Sequence, residues 1–180
     1  MRGKATQVEK GVEGMTRPIE ALAAEFKHEA KTTRRMLERL PEGKADWKPH
    51  PKSMSLGRLS MHLSEIPGFF SAILGGDELA IDGFSPNPRV AAGSAEALAA
   101  FDASTAAFAE KLATFPDARL GEIWRFKIGG RVAAELPRIA AIRALVLSHS
   151  IHHRGQLSVY LRLLDVPVPG SYGPSADDKR

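Results

Sequence analysis

The segment from Ile142 to Leu164 sets the tightest limit on what this chain can become. Ile142, Leu145, Val146, His149, His153, Leu157, Tyr160 and Leu164 follow the three-and-four spacing of a buried helix face, and two of those positions carry imidazoles. Residues four apart on a helix are separated by about 40° around the axis and roughly one turn along it, so His149 and His153 point the same way. Polar rings in slots where the pattern calls for leucine must be satisfied. One reading makes them a hydrogen-bonded pair or a half-exposed face. The other makes them chelators of a divalent metal, completed by a third ligand from another helix and left with an open position for chemistry. The spacing alone leaves both open.

The absence of cysteine bears directly on that choice. It removes disulfides, thiolate ligands and a cysteine nucleophile together, so a metal must be held by His, Asp or Glu. With 180 residues, one core is the default, and residues 15–180 read as a single domain. Residues 1–14 are polar and glycine-containing and read as a flexible arm. They have no apolar segment of the kind that begins a secretory signal, so a cytoplasmic location is expected. No apolar run is long enough for a bilayer, which sets membranes aside. The 25 basic residues are interleaved with 21 acids, and the cluster Lys31, Arg34, Arg35 shares its helix with Glu38 without aromatic residues to stack bases. Nucleic acid is therefore not expected as a partner.

Four helical segments are legible. The first opens at Thr16 as N-cap with Pro18 in its first turn and runs along Ile19, Leu22, Phe26, Glu29, Thr33, Leu37 and Leu40. Glu29 and Thr33 interrupt that stripe; they are either rim residues or buried, and Glu29 would then need a cation or donor opposite. Trp47 lies in the proline-interrupted linker that follows and is expected to plug the bundle end, while His50, between two prolines, reads as surface. Ser55 caps the second helix, from Leu56 to about Leu74, with the stripe Leu59, His62, Ile66, Phe70 and Ile73 and an expected kink after Ile66 at Pro67-Gly68. Glu65 stands three residues after His62, where it would orient the ring, act as a base or remain a solvated neighbour. Residues 75–93 read as an irregular connection. The third helix carries Leu98, Phe101, Thr105, Phe108, Leu112 and Phe115 behind an alanine-rich surface, and the alternation from Ile123 to Val132 around Gly129-Gly130 predicts a short two-stranded excursion. The fourth helix begins at Pro137 and passes through the histidine pair.

The expected fold is all-α: a four-helix bundle with a two-stranded excursion between its third and fourth helices. Three stripes are interrupted by polar groups, at His62, at His149 with His153, and at Glu29 with Thr33. Three core-facing histidines on two helices, in a chain with six, favour a metal site, and imidazole ligation suits zinc or nickel better than magnesium or calcium.

The run from Trp47 to Leu56, the helix bearing His62, and above all His149 to Tyr160 with Tyr172-Gly173-Pro174-Ser175-Ala176-Asp177 resemble the DinB/YfiT-like family of proposed metal-dependent enzymes, the bacterial damage-inducible family and not the DNA polymerase of that name. His152-His153-Arg154-Gly155-Gln156 is the most specific part. The resemblance implies a bundle of four helices, often dimeric, with a metal on one histidine of the second helix and two of the fourth, here His62, His149 and His153. It further implies transfer of a low-molecular-weight thiol to an electrophile, although most members have no known substrate.

The functional expectation is a metal-dependent enzyme that activates a small thiol or water and delivers it to an electrophilic small molecule. Glu29, Glu65 and Gln156 are the candidate orienting or catalytic groups, and a small thiol is the candidate cosubstrate. The alternative is a non-catalytic metal-binding module, structural or stress-responsive, acting through protein partners; a metal-free bundle with hydrogen-bonded histidines is a third. Whether the chain forms a homodimer is left open, and Arg154 is expected at the surface.

Overall fold

The apolar stripes pack against one another as four helical arms, described for residues 17–178 of the computed structural model. The expected arm at residues 1–14 and the expected cap Thr16 lie outside the described residues. Helix α1 spans Pro18–Leu37, with the cap position at Arg17, whose N–H and Nε both donate to the Glu20 carboxylate at 3.2 and 2.9 Å. Helix α2 spans Leu56–Phe69, and Ser55 Oγ accepts the Arg58 N–H at its start, as its sequence predicts. Helical structure continues through Pro67, where the sequence places a kink, and then tightens into a 3-10 turn, Phe70–Leu74.

Helix α3 spans Ser94–Thr114. The fourth arm is composite: α4, Arg138–Ala141, a π-helical segment, Ile142–Ser148, and α5, His149–Leu163. Helices α1 and α2 each pack chiefly against α3 and α5, which places α1 and α2 on a diagonal of the bundle. Because α2 is enclosed from two sides, Leu56, Leu59, Met61, Leu63 and Ile66 are all buried.

The expected β excursion is present as strands β2, Ile123–Ile128, and β3, Arg131–Pro137, joined at Gly129-Gly130. Both glycines have positive φ, 54° and 75°, as a two-residue turn matched to strand twist requires. The connection between α2 and α3, read from sequence as irregular, contributes a further strand, β1, Glu78–Ile81, parallel to β2 with Glu78 opposite Arg125. Four residues with two half-buried apolar side chains, Leu79 and Ile81, are too short a pattern to stand out among glycines and acids. The sheet order is β1-β2-β3.

Two features of this arrangement position the site. Phe126 of β2 meets Phe69 and Phe70 at ring separations of 6.1 and 5.7 Å, so the sheet buttresses the C-terminal end of α2. At the other end of that helix, the Gly57 carbonyl accepts the Ala91 N–H at 3.0 Å. A Cβ at Gly57 would stand 2.3 Å from the Ala91 oxygen, so only glycine lets the connection lie this close. Trp47 packs edge-on against Tyr160 at 5.6 Å, the plug its sequence context predicts.

A candidate metal centre

His62 projects from α2 toward α5, where His149 and His153 occupy adjacent turns. The three rings converge: their centroids lie 4.6 to 5.1 Å apart, and one ring nitrogen from each falls within 4.8 Å of the others. His62 Nε2 and His149 Nε2 are 3.3 Å apart. Two ligand atoms at about 2.0 to 2.1 Å from a tetrahedral ion are separated by about 3.3 Å, so this pair already has a metal's spacing.

The burial differs from the expectation of three core-facing rings. His153 is buried, but His62 and His149 are half-buried, and His62 shares the less enclosed face of α2 with Arg58, Glu65 and Phe69. The stripe through Leu59, Ile66 and Phe70 is the enclosed one, and His62 sits at its edge. The cluster therefore has an inner wall, His153, and an outer rim.

The fourth arm also departs from a single regular helix. The π segment carries about one extra residue per turn and re-phases the face before His149, so Leu147, Ser150 and Arg154 are buried beside the predicted Val146 and His153. His149 and His153 both lie in α5, where the regular period keeps them on one side.

The chemistry of these rings fits a metal. His153 Nδ1 meets Gln156 Oε1 at 2.7 Å; the amide oxygen accepts, so the proton resides on Nδ1 and the Nε2 lone pair is available. Burial, followed by the charges of His153, His149 and Arg58, lowers the His62 pKa to about 4. His149 and His153 are shifted down as well, in both cases chiefly by burial. The Leu145 carbonyl opposes the shift at His149, and the Gln156 oxygen opposes it at His153. Three neutral imidazoles at ordinary pH, with one ring nitrogen of each converging and no carboxylate among them, are a donor set for a borderline divalent cation. His152 is exposed and lies outside the cluster, as is His50, whose Nδ1 accepts the Lys52 N–H at 3.2 Å.

The remaining candidates fall in different places. Gln156 touches the cluster directly through His153. Glu65 is turned toward two guanidiniums, with Oε1 3.2 Å from Arg89 and Oε2 3.7 Å from Arg58. Glu29 is buried and paired with Arg154: the Nη1 to Oε2 separation is 2.6 Å, and the Tyr172 hydroxyl donates to the same oxygen at 3.0 Å. Arg154 also donates to the Glu29 carbonyl, Thr33 Oγ1 and the Tyr172 hydroxyl. This corrects the surface assignment of Arg154, which is 2% exposed. The sequence signal was available in Glu29 itself, a buried-face carboxylate that required a cation opposite.

The DinB family model matches residues 15–180. Among solved structures, a DinB-like protein from Bacillus cereus is 26% identical with a TM-score of 0.69, the match covering 88% of this chain and 100% of that one. A DinB-like protein from Bacillus subtilis shares the fold at 18% identity and a TM-score of 0.64, covering 89% and 99% of the respective chains. No curated protein matches significantly.

Proposed function

The chain belongs to the DinB family, and on that premise we propose that His62, His149 and His153 hold a divalent ion, zinc or nickel, in an enzyme that transfers a small thiol, or water, to an electrophilic small molecule. The observation that carries this reading is the convergence of three neutral, partly desolvated imidazoles with no carboxylate or thiol in the cluster. Bound there, the ion would supply the acidity that lets a thiol or water lose its proton near neutral pH, which this cysteine-free chain otherwise lacks. In the transfer, a sulfur–carbon bond forms as the bond to the leaving group breaks, the leaving group departs with that electron pair, and the thiol proton passes to solvent.

The chain's own residues prepare the site. Gln156 fixes the tautomer of His153 and aims its free nitrogen at the other two rings. Burial keeps the imidazoles unprotonated, so they remain donors. Glu65 restrains Arg89 and Arg58 at the rim, and Glu29 acts through Arg154, holding α5 against α1 so that the neighbouring His153 keeps its position. The same reading takes residues 15–180 as one domain working on a small-molecule substrate in the cytoplasm.

Protein purified without chelator should carry one ion per chain, and His62→Ala should lose it at low free metal while remaining helical. Metal-loaded protein should consume thiol in the presence of an electrophile panel. Unchanged metal in His62→Ala removes His62 from the ligand set, and loaded protein that neither consumes thiol nor hydrolyses a broad ester panel rejects the enzyme reading.

A further inference from the structure

Three arginines of the bundle are largely withdrawn from solvent, and they are used differently. Arg138 is fully buried, and all three guanidinium nitrogens are engaged: Nε by Glu122, Nη1 by the carbonyls of Ile73 and Gly76, and Nη2 by Asp77. Arg154 commits both terminal nitrogens, Nη1 to Glu29 and Thr33 and Nη2 to Tyr172. Arg58, whose side chain is 21% exposed, is held at one nitrogen only: Nη1 donates to the Arg89 carbonyl at 3.3 Å and lies 3.7 Å from Glu65. Among the described residues its Nε and Nη2 have no hydrogen-bond partner. Glu65 stands closer to Arg89, at 3.2 Å, and so leaves the outer edge of Arg58 uncommitted.

Arg58 stands on the histidine-bearing face of α2. Arg58 precedes His62 by four residues, so the two side chains share one face of α2 about one turn apart. The Arg58 charge acts on both His62 and His153, and the carboxylate on the same face, Glu65, is turned to Arg89 and to Arg58 Nη1. On the opposite side the wall is aromatic: the Phe70 ring lies 6.2 Å from His149, and Phe69, 40% exposed, packs edge-on against Phe70 at 4.9 Å. Along this less enclosed face of α2, Arg58, His62 and Phe69 thus follow one another as a cation, a metal-ligand candidate and an apolar ring. A planar guanidinium with two adjacent free N–H groups matches a carboxylate in bidentate geometry.

We propose that Arg58 is the carboxylate receptor of this site: the small molecule that reaches the histidine cluster carries a carboxylate, bound by Arg58 Nε and Nη2, with its apolar part against Phe69. This rests on the functional reading above, and the carboxylate resides either on the thiol or on the electrophile.

The test separates these sources and separates this inference from the metal reading. In metal-free protein, propionate should shift the Arg58 Nε–H resonance in a saturable way, and propionamide should not. In cobalt-loaded protein, the sulfur-to-cobalt absorption band should report 3-mercaptopropionate binding about tenfold tighter than 2-mercaptoethanol if the thiol carries the carboxylate. If the electrophile carries it, bromoacetate should outpace bromoacetamide in kcat/KM by a similar factor with 2-mercaptoethanol as nucleophile. Either preference should vanish in Arg58→Gln and partly survive in Arg58→Lys. Propionate that leaves Arg58 unperturbed, with both pairs indistinguishable in wild type and Arg58→Gln, overturns the proposal. A chain that takes up no cobalt refutes the metal reading, and the propionate titration then decides the role of Arg58 by itself.

Discussion

His153 and Arg154 are consecutive residues of α5, both buried, and the protein treats them in opposite ways. Arg154 is closed off: its charge meets Glu29 at 2.6 Å, and a hydroxyl and a carbonyl take further donors. His153 is bonded at Nδ1 to Gln156, and its ring lies 4.6 and 4.7 Å from two more imidazoles that are also desolvated. One region neutralises what it buries; the other sets ring against ring, with His62 Nε2 and His149 Nε2 within hydrogen-bond distance of each other at 3.3 Å. Buried polar groups are ordinarily paired each with its own partner, so three ring nitrogens drawn within 4.8 Å of one another read as capacity held for a ligand. The comparison shows that the chain can pair a buried charge with its counter-ion on this very helix, which makes the ring-against-ring arrangement next door informative.

The strongest way to break the comparison is to truncate each neighbour in turn. Arg154→Ala leaves the Glu29 carboxylate buried without its cation and should cost about 3 to 5 kcal/mol in chemical denaturation. His153→Ala should cost about 1 kcal/mol in the presence of chelator, yet abolish tight metal binding. Equal losses of stability in the two variants, or retained stoichiometric metal in His153→Ala, would dissolve the distinction.

A pH series sharpens it. In chelator, His62 titrates at about 4 when folded, against about 6.5 for an unperturbed imidazole, and His149 and His153 move the same way. Between those values the unfolded chain takes up protons that the folded chain refuses. The contribution of the neutral His62 ring is therefore complete above about pH 6.5, declines as the pH falls, and levels off near pH 4, and the other two rings act in the same direction. Denaturation midpoints should follow that window, with a shallower slope in His62→Ala. A wild-type midpoint that stays flat from pH 6.5 to 4 contradicts the desolvated-imidazole description. With metal present the same protons compete for the ligands, so the stabilisation by added zinc at pH 7.5 should vanish near pH 5.

The smallest effect belongs to the closed region. Tyr172→Phe removes a hydroxyl that accepts from Arg154 at 2.7 Å and donates to Glu29 at 3.0 Å, while the ring stays 5.1 Å from the guanidinium carbon. The expected loss is about 1 kcal/mol with metal content unchanged. A drop in metal content would show that the two regions are coupled through α5.

The sequence by itself determined what depends on neighbours along the chain. Helical periods, the Ser55 cap, the glycine turn at 129–130 and the shared direction of His149 and His153 follow from backbone geometry within a few residues, and each is present. The resemblance placed His62 opposite that pair, and the rings do meet. Tertiary structure alone decided how open the site is, because the enclosure of His62 depends on which flank of α2 the sheet and the 75–93 connection leave uncovered. It also decided that Arg154 goes inward, since its partner Glu29 is 125 residues away, and that β1 forms, since four residues gain strand hydrogen bonds only once β2 is beside them. Local conformational preference acts over a turn or two and can be read from the chain; charge compensation and strand pairing act between segments whose proximity exists only after packing.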